Sequence, residues 1–304
     1  MMNKILSVVG LLSIIALTSC KRDDVPGPEE ARPHAEVYLE DLAKIEDYLQ
    51  SHYIKINDDN GNGKLEVTEV VMDSINAENP ISIWDQTDYP LQYKIVKLYG
   101  VDFKVYFLKL DAKGDTDADG KKPCGVDKVW VSYKGNLLNG TQFDIAVNQT
   151  DFNLIDVVKG WEYIMPEFRA GYYAAPNGDG VLNPMNYGSG VMFLPSGLGY
   201  FNSYVPGETY APLIFTFNLY DVVYLDQDSD KVLSRYEYSF NSDGTLLDTD
   251  GDGIPDVFDG DDDNDGYMTR DEIKINGTYP DFDAILDCSG TTSGVKKHLD
   301  ASCH

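Results

Sequence analysis

The stretch from Val129 to Trp161, VWVSYKGNLLNGTQFDIAVNQTDFNLIDVVKGW, constrains the fold more than any other part of the chain. Two strand-like runs are joined by a Gly-punctuated turn and followed by a second apolar patch that closes on Gly160-Trp161. Alternating runs of this length favour half-buried antiparallel strands. The stretch carries no obvious nucleophile, metal cluster or phosphate loop, so any chemistry here has to come from shape and desolvation.

Length allows one good-sized domain with attachments, or two small ones: 304 residues, 42% apolar, with 21 Tyr. That apolar content can pay for a folded core. A net charge of −27 excludes nucleic acid and anionic membrane surfaces as electrostatic partners. The acidic residues are clustered, which points to cations.

Residues 1–19 read as an export signal: Lys4, an apolar run from Ile5 to Leu17 too short to span a bilayer, then small residues. Leu17-Thr18-Ser19-Cys20 resembles a bacterial lipobox, which implies acylation of Cys20. Two or more buried chains would then anchor the protein in a membrane. Lys21-Arg22-Asp23-Asp24 resembles the charged tag that routes some lipoproteins to the outer surface. The expected location is therefore the outer membrane or cell surface. Residues 20–34 form an acylated, Pro-containing tether. In the oxidising compartment this implies, Cys288 and Cys303 bracket a polar segment suited to a local disulfide, leaving Cys124 unpaired.

From 35 to 103 the pattern predicts a helical segment and the first strands. Val37, Leu39, Leu42, Ile45, Tyr48, Leu49 and Tyr53 fall at helical spacing within 35–56, and a shorter helix is expected over 66–75. Between them, DDNGNGKLEVTE (58–69) places oxygens at Asp58, Asn60, Asn62 and Glu69 with Gly63 at the turn, the EF-hand pattern. Residues 91–110 predict two strands around Gly100, and 213–224 a strong last strand. Asp115, Asp117 and Asp119 begin a calcium-like spacing without a closing acid and read as a solvated turn.

Four motifs in order, VWVSYKGNLLNGTQFD, VVKGW, MFLPSGLGY and PLIFTFNLYDVV, resemble the FKBP-type peptidyl-prolyl isomerase domain over residues 104–225. The resemblance implies an α+β fold: a twisted antiparallel sheet wrapped on one short helix, here about Val157 to Phe168. The helix ahead of it looks like the prefix of FKBP-type lipoproteins. The implied proline pocket comprises Tyr133, Phe143, Asp144, Val157, Val158, Trp161, Tyr200 and Phe215, with Phe152 matching the aromatic before the helix and Val205 a wall residue of the late loop. Phe201 stands where the family usually has Gly, and 171–191 carries an insertion.

The implied chemistry agrees with the residue types. Rotation about an X-Pro bond is opposed by roughly 18–20 kcal/mol because amide resonance is lost. A dry aromatic pocket favours the twisted imide, which has less charge separation than the planar form. Trp161 would form the floor, Tyr200 would hold a substrate carbonyl, and Asp144 would lie near the imide or orient Tyr133. No catalytic cofactor is required. The same aromatics could instead be ordinary core.

From residue 226 to 304 the chain becomes an Asp-rich module. DQDSDKVLSRYE carries Asp226, Asp228, Asp230 and Glu237, with Lys231 in place of the turn Gly. DTDGDGIPDVFD carries Asp248, Asp250, Asp252, Asp256 and Asp259 and resembles a thrombospondin type 3 repeat. DDDNDGYMTRDE carries Asp261, Asp263, Asp265 and Glu272, a full EF-hand pattern. So many carboxylates repel one another unless a cation sits among them, which makes Ca2+ an expected structural component. The expected partners are thus proline-containing polypeptides, calcium, and a membrane reached through acyl chains. A non-catalytic proline-binding module and a calcium-dependent interaction or spacer protein are the alternatives.

Overall fold

Two residues in the left-handed region turn the first hairpin of the main sheet. Strands β3 (Gln92–Leu98) and β4 (Val101–Lys109) meet at Tyr99 and Gly100, with φ of 54° and 71°, the conformation a tight two-residue hairpin turn needs. The computed structural model describes residues 30–57, 65–110, 120–173 and 184–304. The chain divides between Ala31 and Arg32, and the unit Arg32–His304 contains every helix and strand described.

The remaining elements are helix α1 (His34–Ser51), strands β1 (His52–Ile56) and β2 (Val70–Ser74), β5 (Lys128–Leu137), β6 (Gln142–Asn153), helix α2 (Lys159–Ile164), the short pair β7 (Tyr172–Tyr173) and β8 (Pro184–Met185), β9 (Gly188–Leu194), β10 (Leu213–Val223) and the one-turn helix α3 (Thr269–Glu272). Six strands form one sheet in the order β3-β4-β9-β10-β5-β6, with every neighbouring pair antiparallel. The expected antiparallel sheet with one short helix is therefore present.

Alternation along the strands sorts side chains into two cores. Leu213, Phe215, Phe217 and Leu219 of β10, with Phe103, Val105 and Phe107 of β4, point to one face, where Trp161, Ile164 and Met165 of the α2 region pack on them. Tyr106, Leu108, Val191, Phe193 and Ile214 point to the other face, where Ile45, Tyr48 and Leu49 of α1 cover them. Every residue of β9 is buried, as a strand covered on both faces requires.

Helix α1 is shorter than its apolar periodicity predicts. The chain leaves the helix after Ser51 and runs directly into β1, because Tyr53, Ile54 and Ile56 are strand formers that pair with β2. The helix expected over 66–75 is a turn followed by β2, in which Val70 and Val71 face Ile56 and Lys55 across the ladder. The 57–69 segment therefore links two antiparallel strands, with the Asn57 N–H donating to the Glu69 carbonyl at 2.9 Å. Asp58, Asn60 and Asn62 lie outside the described residues, as do Asp115, Asp117 and Asp119.

Burial on α1 also departs from the apolar pattern. Leu39 is 68% exposed, whereas Asp41 is fully buried. Asp41 Oδ2 accepts hydrogen bonds from the Ser196 N–H (2.8 Å) and Ser196 Oγ (2.6 Å), which ties α1 to the turn after β9. Tertiary hydrogen bonding, not side-chain hydrophobicity, selects which residue faces inward.

The acidic module continues the same unit. Gln227 Nε2 donates to the Val126 carbonyl (3.0 Å) and Asn153 Oδ1 (3.3 Å), and Tyr238 Oη donates to Glu162 Oε1 on α2 (2.6 Å). The 225/226 boundary is therefore a change of composition across a joined surface. Toward the end of the chain Cys288 and Cys303 form a disulfide, while Cys124 is a free, half-buried thiol.

Candidate active site

Glycine at position 135 is what lets the aromatic site assemble. In the ladders Gly135 stands opposite Phe215 on β10 and Asp144 on β6. A Cβ there would come within 2.7 Å of Phe143 Cζ and 3.0 Å of Phe215 Cε1, so only Gly allows the two rings to close over the strand. Immediately after it the β5–β6 register shifts, from Gly135↔Asp144 to Asn136↔Gln142, which leaves Phe143 as the extra residue of a bulge. Consecutive strand residues normally point to opposite faces. The bulge lets Phe143 and Asp144 serve the same site.

A second glycine seats the helix. A Cβ on Gly160 would run into the fully buried Leu194 side chain of β9. Its absence lets α2 lie close enough to the sheet for the next residue, Trp161, to reach the core.

These elements surround a cavity of about 310 Å3 lined by Tyr133, Asp144, Phe152, Asp156, Val157, Val158, Trp161, Tyr200 and Phe215. Trp161 is 2% exposed and holds its ring 5.7 Å from Tyr133, 5.3 Å from Phe152, 5.2 Å from Phe215 and 5.5 Å from Phe217, each at a steep interplanar angle. Edge-to-face packing on Tyr133, Phe152 and Phe215, with the tilted contact to Phe217, fixes the indole rather than leaving it free to rotate. Phe143 does not line the cavity but buttresses it, edge-on to Phe215 (5.6 Å) and Tyr200 (6.2 Å). Val205 is 63% exposed and lies outside the lining set, so it is not a wall of this cavity. Asp156, which no motif singled out, reaches the cavity from the turn before Val157.

Polar groups are few and specific. Tyr133 Oη donates to Asp144 Oδ2 at 2.6 Å, and Asp144 Oδ1 accepts the Ile145 N–H at 2.8 Å. Burial and the neighbouring Asp144 carboxylate push the Tyr133 hydroxyl well above its ordinary value, so it remains a donor. Tyr200 is raised by burial and then by Asp144, and its hydroxyl has no hydrogen-bond partner among the described residues. It can donate to a ligand carbonyl.

The rim departs from the usual pattern at Phe201, which adopts φ 47° without being Gly. Its ring stacks on His34 at 3.9 Å, and His34 stacks on Tyr99 at 4.3 Å. The Tyr210 N–H donates to the Phe201 carbonyl, closing the neck of the rim loop. The strained residue thus ties that loop to the start of α1.

The sheet, the short helix α2 packed on one of its faces and the aromatic site between them coincide with what the four motifs imply. The fold is α+β, built on a six-stranded antiparallel sheet. Among solved structures, the chain is similar to a peptidyl-prolyl cis-trans isomerase from Pseudomonas syringae pv. tomato, at 15% identity over 64% of this chain and 98% of that one, with a TM-score of 0.35. It is similar to FkpA from Escherichia coli at 24% identity (43% and 51% of the two chains, TM-score 0.32) and to the three FKBP domains of wheat FKBP73 at 15% (44% and 51%, TM-score 0.32). It spans about half the length of these last two. The BamM C-terminal family model matches residues 227–294, and no curated protein matches the chain.

A larger cavity of about 530 Å3 lies on the other side of α2, where Lys94, Cys124, Glu162, Arg235 and Tyr238 are among the lining residues. Glu162 is already engaged there by Tyr238 and by Lys159 Nζ at 2.5 Å. The smaller cavity instead combines convergent rings with a Tyr200 hydroxyl that has no hydrogen-bond partner among the described residues.

In the acidic module, carboxylates gather where the loop spacing predicts. Asp226, Asp228 and Asp230 form one group, Asp248, Asp250 and Asp252 a second, and Asp261, Asp263 and Asp265 a third. Lys231 takes the left-handed conformation (φ 83°) in place of a turn Gly. Burial, then neighbouring carboxylates, pushes Asp228 up to about 8 and Glu272 up to about 8. Both Glu272 oxygens are buried without a hydrogen-bond partner. Asp256 is used differently, accepting the Thr249 N–H and Oγ1 at 2.7 Å each, and Asp259 Oδ1 accepts the Asp261 N–H at 3.0 Å. Glu69 is 6% exposed, and its Oε2 accepts the Glu66 N–H at 2.9 Å.

Proposed function

We propose that the protein is a peptidyl-prolyl cis-trans isomerase that assists folding of exported proteins, carried on a lipid anchor at Cys20 and stiffened by Ca2+ in its acidic module. The observation that carries the reading is the cavity floored by Trp161 and lined also by the hydrogen-bonded Tyr133–Asp144 pair and by Tyr200. A prolyl ring enters over the indole. Tyr200 donates to the carbonyl, and the rings withhold the water that stabilises the planar imide. Asp144 holds Tyr133 in place and presents its carboxylate beside the twisting bond. No covalent intermediate is involved.

Localisation follows from the lipobox-like Leu17-Thr18-Ser19-Cys20 and the charged residues after it. Clients are proline-containing polypeptides. The test is proline-peptide isomerisation by a soluble chain beginning at Lys21, in calcium and in chelator. Catalysis lost in Trp161→Ala supports the reading. A well-folded wild-type chain with no rate above background overturns it, and retained binding of a proline-mimicking macrolide would then leave a binding module.

A further inference from the structure

Besides the three groups formed within single loops, the fold assembles one carboxylate cluster that loop spacing does not encode. One oxygen from each of Asp230, Glu237 and Asp262 lies within 4.8 Å of the other two. Asp230 and Glu237 belong to the loop that follows β10. Asp262 comes from the turn near α3, where alternation within its own loop assigns ligand positions to Asp261 and Asp263 instead.

All three side chains are withdrawn from water, at 1%, 6% and 1% exposure. Both oxygens of Glu237, Oδ2 of Asp230 and Oδ1 of Asp262 are buried without any hydrogen-bond partner. The other oxygens are satisfied: Asp230 Oδ1 accepts the Val232 N–H (2.7 Å) and Asp262 Oδ2 accepts Thr269 Oγ1 (3.1 Å). These bonds hold the two carboxylates in place and leave one oxygen of each unpartnered. Three buried carboxylates converging from two segments, with four of their oxygens buried and unpartnered, constitute a partial shell for a hard divalent cation.

We propose that Asp262 completes the calcium site of the 226–237 loop, so that one ion bridges this loop to the 259–265 turn. The inference rests on the proposed binding of calcium by the acidic module and adds to it a ligand from outside the loop. Lys231 already takes the left-handed turn conformation that Gly would supply (φ 83°), so the loop keeps its turn, and Asp262 adds a ligand from outside it. The bridge also gives the ion a structural role, since Gln227 of the same loop is fastened to Val126 and Asn153 of the sheet domain.

The test uses the soluble chain from Lys21, stripped with chelator and titrated with calcium alone, with magnesium as control, counting bound ions by equilibrium dialysis. Asp262→Asn is expected to lose one ion per chain, or to bind it at least about tenfold more weakly. Glu237→Gln is expected to affect the same ion, so the double variant Glu237→Gln/Asp262→Asn loses no more than either alone. Asp261→Asn/Asp262→Asn is expected to lose two. Wild-type stoichiometry and affinity in Asp262→Asn, or two ions lost in Glu237→Gln/Asp262→Asn, would overturn the bridge while leaving calcium binding intact. A wild-type chain that binds no calcium would overturn both. Near-ultraviolet circular dichroism of each variant reports whether it folds; where Asp262→Asn does not, Asp262→Glu, which keeps the charge but moves the carboxylate, is expected to weaken the same ion, and wild-type affinity in it overturns the bridge.

Discussion

Tyr133 Oη stands 2.6 Å from Asp144 Oδ2, a hydrogen bond to a carboxylate that is otherwise exposed to solvent. The pair orients a ring that also packs on Trp161, Phe152 and Phe215. A hydrogen bond to a charged group contributes about 1.5–3 kcal/mol, so its loss is expected to lower kcat/KM on a proline peptide by about ten- to a hundredfold. Tyr133→Phe and Asp144→Asn should show similar losses, with little further loss in the double variant. Additive losses would mean that the two residues act separately.

Trp161→Ala removes a buried ring that touches four others. The expected destabilisation is about 3–5 kcal/mol, read from the midpoint of urea unfolding. Isomerisation should fall even under conditions where the variant is fully folded, because the floor of the cavity is gone.

Gly160→Ala changes no group that could contact a ligand, yet its methyl has nowhere to go beside Leu194. Overpacking of this kind costs about 1–3 kcal/mol. A melting temperature equal to wild type would show that α2 can move away from β9.

Asp41 gives a pH signature. Burial raises its pKa above 3.8 in the folded chain, against the lowering effect of the Ser196 hydrogen bonds. The folded state therefore holds a proton that the unfolded state releases, and stability falls as pH rises from 3.8 through the folded value. Asp41→Asn can still accept from Ser196 and should flatten this part of the stability–pH curve. Asp41→Leu, which cannot, should be less stable than Asp41→Asn at every pH.

Calcium should raise the melting temperature in proportion to the logarithm of its concentration above the dissociation constant, the behaviour of a ligand that binds only the folded state. Tyr238 is adjacent to Glu237 and donates to Glu162 on α2, so it links the acidic module to the helix that carries Trp161. Tyr238→Phe should cost about 1.5–3 kcal/mol. It should also narrow any difference in isomerisation rate between calcium and chelator.

By itself the sequence determined the alternation of β10, the hairpin at Gly100, the aromatic set around Trp161 and the spacing of the acidic loops, because each depends on residues close together in the chain. It did not determine that 52–56 and 70–74 would be strands: their preference for pairing appears only when the two meet. Nor could it show that Asp41 would be buried and Leu39 exposed, since the deciding partner, Ser196, lies far along the chain. The bulge at Phe143 and the approach of Asp262 to Glu237 belong to the same class. Strand alternation would send Phe143 and Asp144 to opposite faces, and loop spacing would leave Asp262 out of every shell. Tertiary structure decided both, because register and the meeting of distant loops are set by which surfaces pack together, not by the order of residues along either one.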